Sequence, residues 1–226
     1  MTYPVAAGRP PGYPRHRRHP RLLAHLPERT IIGRSKGGAD MDIDGFWAII
    51  EGSRRGTDPA ARGERITQTL AGLSVADLLD FHDHLDEQMG RVDGDLMGEA
   101  AALILCGCGD DSFCRFQAWL VGLGRSTLDR VAGDPDLLAD EPEVRRLAER
   151  HPRDWPDEEY PWFEELEFAA VHEYERRELD PKDIYAAVRA RDSESSVSRR
   201  GDEEVYLDPD VALPRLTAMF GGRMWD

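Results

Sequence analysis

Residues 106–125 read CGCGDDSFCRFQAWLVGLGR and hold the chain's densest collection of side chains able to do chemistry. Paired carboxylates at Asp110 and Asp111 suit acid–base work or a metal ion. Arg115 and Arg125 suit an anion clamp, with Trp119 between them. The plainer reading is a corner between two helices. Gly107 and Gly109 let the backbone turn sharply after one helix. Asp110 or Asp111 then accepts hydrogen bonds from the free N–H groups of the next, where the helix dipole favours their charge. Arg115 follows Asp111 by four residues, so an intrahelical ion pair uses up both charges at little gain. The spacing favours the corner, with a ligand site built from Asp110, Asp111, Arg115, Trp119 and Arg125 as its rival.

Cys106, Cys108 and Cys114 offer three zinc ligands, with a histidine as fourth. A structural zinc knuckle needs at least two residues between paired cysteines, and only Gly107 separates the first two. Cys106 and Cys114 fall near apolar helix faces, where cysteine packs as a small hydrophobe. A reactive thiolate at Cys108 is disfavoured by the neighbouring aspartates, which raise its pKa. No metal site is expected.

Two further stretches carry charge at helical spacing. In FHDHLDE, His82 and Asp86, or Asp83 and Glu87, stand four apart and could share an ion. His82 and His84 diverge by about 200° around a helix and cannot. A solvated acidic face is the simpler account. The stretch WPDEEYPW followed by FEELEFAAVHEYE places Trp155, Tyr160 and Trp162 beside Glu164 and Glu165. An acidic patch rimmed with aromatic rings suits a basic protein partner. There is no phosphate loop, nucleophile elbow, kinase set or dinucleotide fingerprint, and no cofactor is expected.

The elements that must position these groups are helical throughout. Ile43, Phe46, Trp47 and Ile50 recur at offsets of three, four and seven. Asp58 and Pro59 suit the start of a second helix presenting Ile66, Leu70 and Leu73. Ser74 with Asp77 is a capping-box variant, and Val75, Leu78, Leu79, His82, Leu85 and Met89 form the stripe that follows. Residues 96–106 are apolar almost all round, which predicts the central buried helix. Phe113, Phe116, Leu120 and Leu123 form the next core face. Shorter helices are predicted at Ser126–Ala132, Glu141–Arg150 and Asp183–Arg191. Between them HPRDWPDEEYPW, with three prolines, reads as loop. One helix spans FEELEFAAVHEYERRE, with Phe163, Leu166, Ala170 and Tyr174 inward and its glutamates outward. The expected fold is a single all-α domain of six to eight helices over residues 41–191. Residues 192–226 are read as a flexible linker and a C-terminal docking segment.

With 226 residues, 40% hydrophobic, the chain can build one ordinary core. Its net charge of −15 argues against nucleic acid as a partner. No run of 18 apolar residues is present, so no membrane span is expected. Three cysteines do not suggest a disulfide framework, and a reducing cytoplasm is the expected location. Residues 1–40 carry eight basic residues against two acidic ones, lack any period, and are rich in proline and glycine. They read as a disordered basic arm or as an upstream start, because MDIDGFWAII at Met41 reads like a natural N-terminus.

The stretches MDIDGFWAIIEGSR, LSVADLLDFHDHLDEQM, CGCGDDSFCRFQAWLVGLGRSTLDRVAGDPDLLAD and FEELEFAAVHEYE together resemble the bacterial domain of unknown function DUF4240. The resemblance covers about residues 41–177. Its most specific piece is G-C-x-D-D-x-F-x-x-F-x-x-W-L-x-x-x-G-R, matched by Gly107 through Arg125, with Gln117 where members commonly carry arginine. It implies a helical cytoplasmic domain beginning at Met41 and brings no activity with it. It draws attention to Asp110, Asp111, Trp119 and Arg125 as a set. Two functions remain in play: a binding or regulatory module with an acidic surface, and a small-ligand or metal-dependent enzyme using the Asp110–Arg125 corner.

Overall fold

Asp42 starts the first helix, its carboxylate accepting the Gly45 N–H at 2.8 Å. The computed structural model describes residues 41–54, 60–180, 182, 184, 186 and 208–223. The basic arm, the Asp58–Pro59 helix start, the polar linker 192–204 and most of the helix expected at 183–191 lie outside these residues. Every regular element among the described residues is helical, and eight helices have seven or more residues. They are α1 (Ile43–Ser53), α2 (Ala60–Ala71), α3 (Val75–Gly90), α4 (Asp95–Leu105), α5 (Asp110–Gly122), α6 (Arg125–Gly133), α9 (Ala169–Arg176) and α11 (Pro214–Phe220). Shorter ones are α7 (Pro142–Leu147), α8 (Glu164–Glu167) and α10 (Pro209–Ala212), with 3-10 turns at Pro135–Asp140, Pro152–Asp154 and Asp157–Glu159. No described helix is long and apolar enough to cross a membrane.

The centre of the domain is α5, not α4 as the unbroken apolar run of 96–106 suggests. Residues 116–124 are all buried, and α5 touches α1, α3, α4, α6 and α8. Leucines 96 and 105 of α4 remain half-buried, and the main neighbours of α4 among the described residues are α5, α11 and the 135–140 turn. Ser74 caps α3 by accepting the Asp77 N–H, and Asp77 answers to the serine hydroxyl at 2.7 Å. The buried stripe of α3 is rotated from the expected one: Phe81 is fully buried and Val75 is 42% exposed. Asp80, also buried, receives the Met41 N–H at 3.1 Å and ties the start of the fold to α3.

Phe168 divides the expected single helix at 163–178 into α8 and α9. Its four inward residues are buried as the periodicity predicts. Glu173, expected on the wet face, is instead 2% exposed. Arg176, with Arg177, binds its carboxylate and holds it down at about 2. Arg177 also donates to the carbonyls of Leu70, Ala71 and Leu73, closing the end of α2 against α9. At the C-terminus, Leu213, Leu216 and Phe220 are fully buried beside α4 and the 135–140 turn. The buried Asp136 accepts the Arg215 and Leu216 N–H groups there.

A Cβ on Gly122 would meet the Phe163 ring at 2.7 Å, whereas one on Gly52 meets nothing within 4 Å. Gly122→Ala is therefore expected to cost about 1–3 kcal/mol in urea unfolding, while Gly52→Ala raises stability by up to about 1 kcal/mol. Arg177→Ala uncovers the Glu173 carboxylate and the α2 carbonyls. It should destabilise by about 3 kcal/mol and reduce the acid sensitivity that native protein shows as pH falls from the ordinary carboxylate range towards 2.

Candidate functional site

The turn before α5 is built differently from its glycine-based expectation. Cys106 itself takes the left-handed conformation (φ 60°, ψ 39°), followed by Gly107 at φ 119°, and Gly107 N–H closes onto Ala102 O at 2.8 Å. Gly109 has an ordinary φ of −98° and is the N-cap of α5, with no side-chain cap. Asp110 and Asp111 occupy the first turn, where the dipole favours their charge.

The five residues of the expected corner do not converge. Arg125 lies beyond the opposite end of α5, about 20 Å away at 1.5 Å per residue. There it pairs with Asp44 at 2.7 Å, and its N–H donates to Glu51. Trp119 is buried against Phe116, ring centroids 5.4 Å apart. Arg115 does share a helix with Asp110 and Asp111, but its guanidinium turns to Glu164 of α8 at 3.5 Å rather than to Asp111. Gln117 is buried, its amide donating to Met89 O at 3.3 Å.

The thiols of Cys108 and Cys114 are held in the protonated, less nucleophilic form. Burial pushes Cys108 up to about 12, and Cys114 and Asp110 add to the rise. Burial also raises Cys114, with Glu167 and nearby aspartates adding to it. Burial lowers His82 below its ordinary range, against the pull of Asp86. Among the described residues, no three His, Cys, Asp or Glu side chains are grouped to hold a metal ion.

The aromatic patch also separates. Trp155 is buried, its indole N–H donating to Leu147 O at 3.2 Å, so it belongs to the core. Tyr160 is half-buried and donates to Pro152 O at 2.9 Å. Trp162 alone of the three is exposed, at 40%. Its ring packs against Tyr160 at 4.8 Å, and Arg115 lies 5.8 Å from its centroid. Glu164 and Glu165 are exposed beside it in sequence.

Arg115 therefore joins two sets of residues that the sequence presents separately, the start of α5 and the Trp162–Glu167 segment. The second set has a member that charge patterning concealed. Glu167 is half-buried; its Oε2 is inaccessible and accepts no hydrogen bond. Burial pushes this carboxyl up to about 7, opposed by Arg115 and assisted by Glu164 and Asp111. A signal for it existed: Glu167 stands four residues after Phe163 and three before Ala170, inside the apolar stripe.

The family model described as a protein of unknown function (DUF4240) matches residues 41–176. The chain belongs to this family. The DUF4240 match runs from α1 through α9 and includes Arg115, Trp162, Glu164 and Glu167. No curated protein and no solved structure matches the chain.

The folded state keeps the Glu167 proton up to about pH 7, whereas an unfolded glutamate releases it in the ordinary carboxylate range. Folding stability from this group is therefore lost as pH rises from about 4.5 through 7. Thermal melts at pH 5 and pH 8 should show Glu167→Gln losing less stability than native protein over that interval and melting higher at pH 8. Equal losses in both proteins would contradict this.

Proposed function

We propose that this domain is a protein-binding module whose Trp162 surface docks a basic segment of another protein. The observation that carries this reading is the exposed indole itself, held on Tyr160 and flanked by Arg115. A tryptophan fixed in place yet open to solvent loses little freedom on binding and supplies a large apolar contact, as interface anchors do. The segment that bears it, residues 154–167, contains seven acidic residues and no basic one. Asp154, Asp157, Glu158, Glu164 and Glu165 are exposed. This charge, within a chain of net −15, steers a cationic partner and repels an acidic one. The enzyme reading is weaker, because Arg115, in the middle of α5, turns to Glu164 while Arg125, the first residue of α6, turns to Asp44, so the two do not converge on Asp110 and Asp111.

Fluorescence anisotropy of a labelled peptide of alternating arginine and glycine tests the reading. Binding should weaken steeply with added salt, and Trp162→Ala should weaken it by about 2 kcal/mol, roughly thirtyfold. Affinity unchanged by Trp162→Ala would overturn it.

A further inference from the structure

Resting on that docking reading, we infer that the Trp162 surface is selective for arginine, and that Arg115 occupies the place a partner's guanidinium takes on binding. Arg115 sets a flat cation between an indole face and a carboxylate: its Cζ lies 5.8 Å from the Trp162 centroid and its Nη2 3.5 Å from Glu164 Oε1. A ring face on one side and a carboxylate on the other are the two partners by which a guanidinium is recognised, and Arg115 meets both at long range. A lysine ammonium has no plane to stack and presents a compact, strongly hydrated charge.

Arg115 holds this place loosely. The ring distance is near the outer limit for such a contact, and 3.5 Å is long for a hydrogen bond. The two paired side chains are 32% and 57% exposed, so the pair itself contributes little. The side chain can leave without disturbing the seam beneath it, because that seam is held by backbone: the Phe163 N–H donates to the Arg115 carbonyl at 3.3 Å. The displaced guanidinium also has somewhere to go. Glu167 is one turn beyond Glu164 and already feels the Arg115 charge, and its buried Oε2 accepts no hydrogen bond. A partner arginine thus replaces Arg115 between Trp162 and Glu164 while Arg115 swings towards Glu167.

The test compares two labelled peptides of equal charge, one alternating arginine with glycine and the other lysine with glycine, on the full chain. The ratio of their affinities cancels the change in net charge that any arginine substitution brings. Native protein should prefer the arginine peptide by at least about fivefold, in keeping with the strength of a stacked guanidinium. Arg115→Ala should raise that preference about threefold further, and Trp162→Ala should bring it close to one. Should Arg115→Ala fail to fold, Arg115→Lys serves instead, with the same rise expected because an ammonium leaves the indole face open. Equal binding of the two peptides, or a preference lowered by either Arg115 variant, overturns arginine selectivity while leaving the docking reading intact. Failure of both peptides to bind overturns both.

Discussion

The acidic side of the domain depends on one side chain entering one notch. Phe163 lies against Gly122 so closely that a methyl group there would strike its ring at 2.7 Å. Arg62 lies over the same ring at 4.9 Å and donates to the Gly122 carbonyl at 2.5 Å. The guanidinium is buried enough to fall to about 10. Phe163 is not helical (φ −140°, ψ 63°), so consecutive side chains diverge there, and with Phe163 inside the neighbouring Trp162 is directed out. Exposure of the indole is thus a consequence of core packing on α5 and not a local accident of the loop. The buried Trp155, with its N–H on Leu147 and Arg150 carbonyls, holds the other end of the same segment.

Acidic residues in this chain are of two physical kinds, and their roles differ accordingly. Glu173, Asp136 and Asp80 are buried and each receives donors: Glu173 from Arg176 and Arg177 at the end of its own helix, Asp136 from the first turn of α11, and Asp80 from the Met41 N–H. They organise the fold. Glu158, Glu164 and Glu165 are exposed and shape the field outside it. Glu167 lies between these kinds, half-buried with an unsatisfied oxygen, and its proton compensates for the missing partner.

Much of the fold was legible from periodicity, because Phe46, Ile50, Leu70, Leu85, Phe116 and Leu120 recur at helical spacing and all are buried. The depth order of helices was not. A run of small apolar residues in α4 looks more buried than a helix carrying Gln117 and Arg115, yet α5 is the one surrounded, since burial follows from how many neighbours a helix meets. The candidate site was legible in part. Trp162, Glu164 and Glu165 are exposed as a surface patch requires, whereas Trp155 has its indole N–H satisfied inside. Proximity in sequence suggested that Asp111 would take Arg115. A residue 49 positions away takes it, and no local pattern encodes that pairing.

The claim that an accessible tryptophan stands in a negative field is tested most directly by ion quenching of fluorescence. Subtracting the signal of Trp162→Phe from that of native protein isolates the Trp162 contribution among five tryptophans. Caesium should quench this difference signal more strongly than iodide at low ionic strength, and the gap should close as salt is added. Preferential quenching by iodide, or a difference signal that neither ion reaches, contradicts an acidic docking face centred on Trp162.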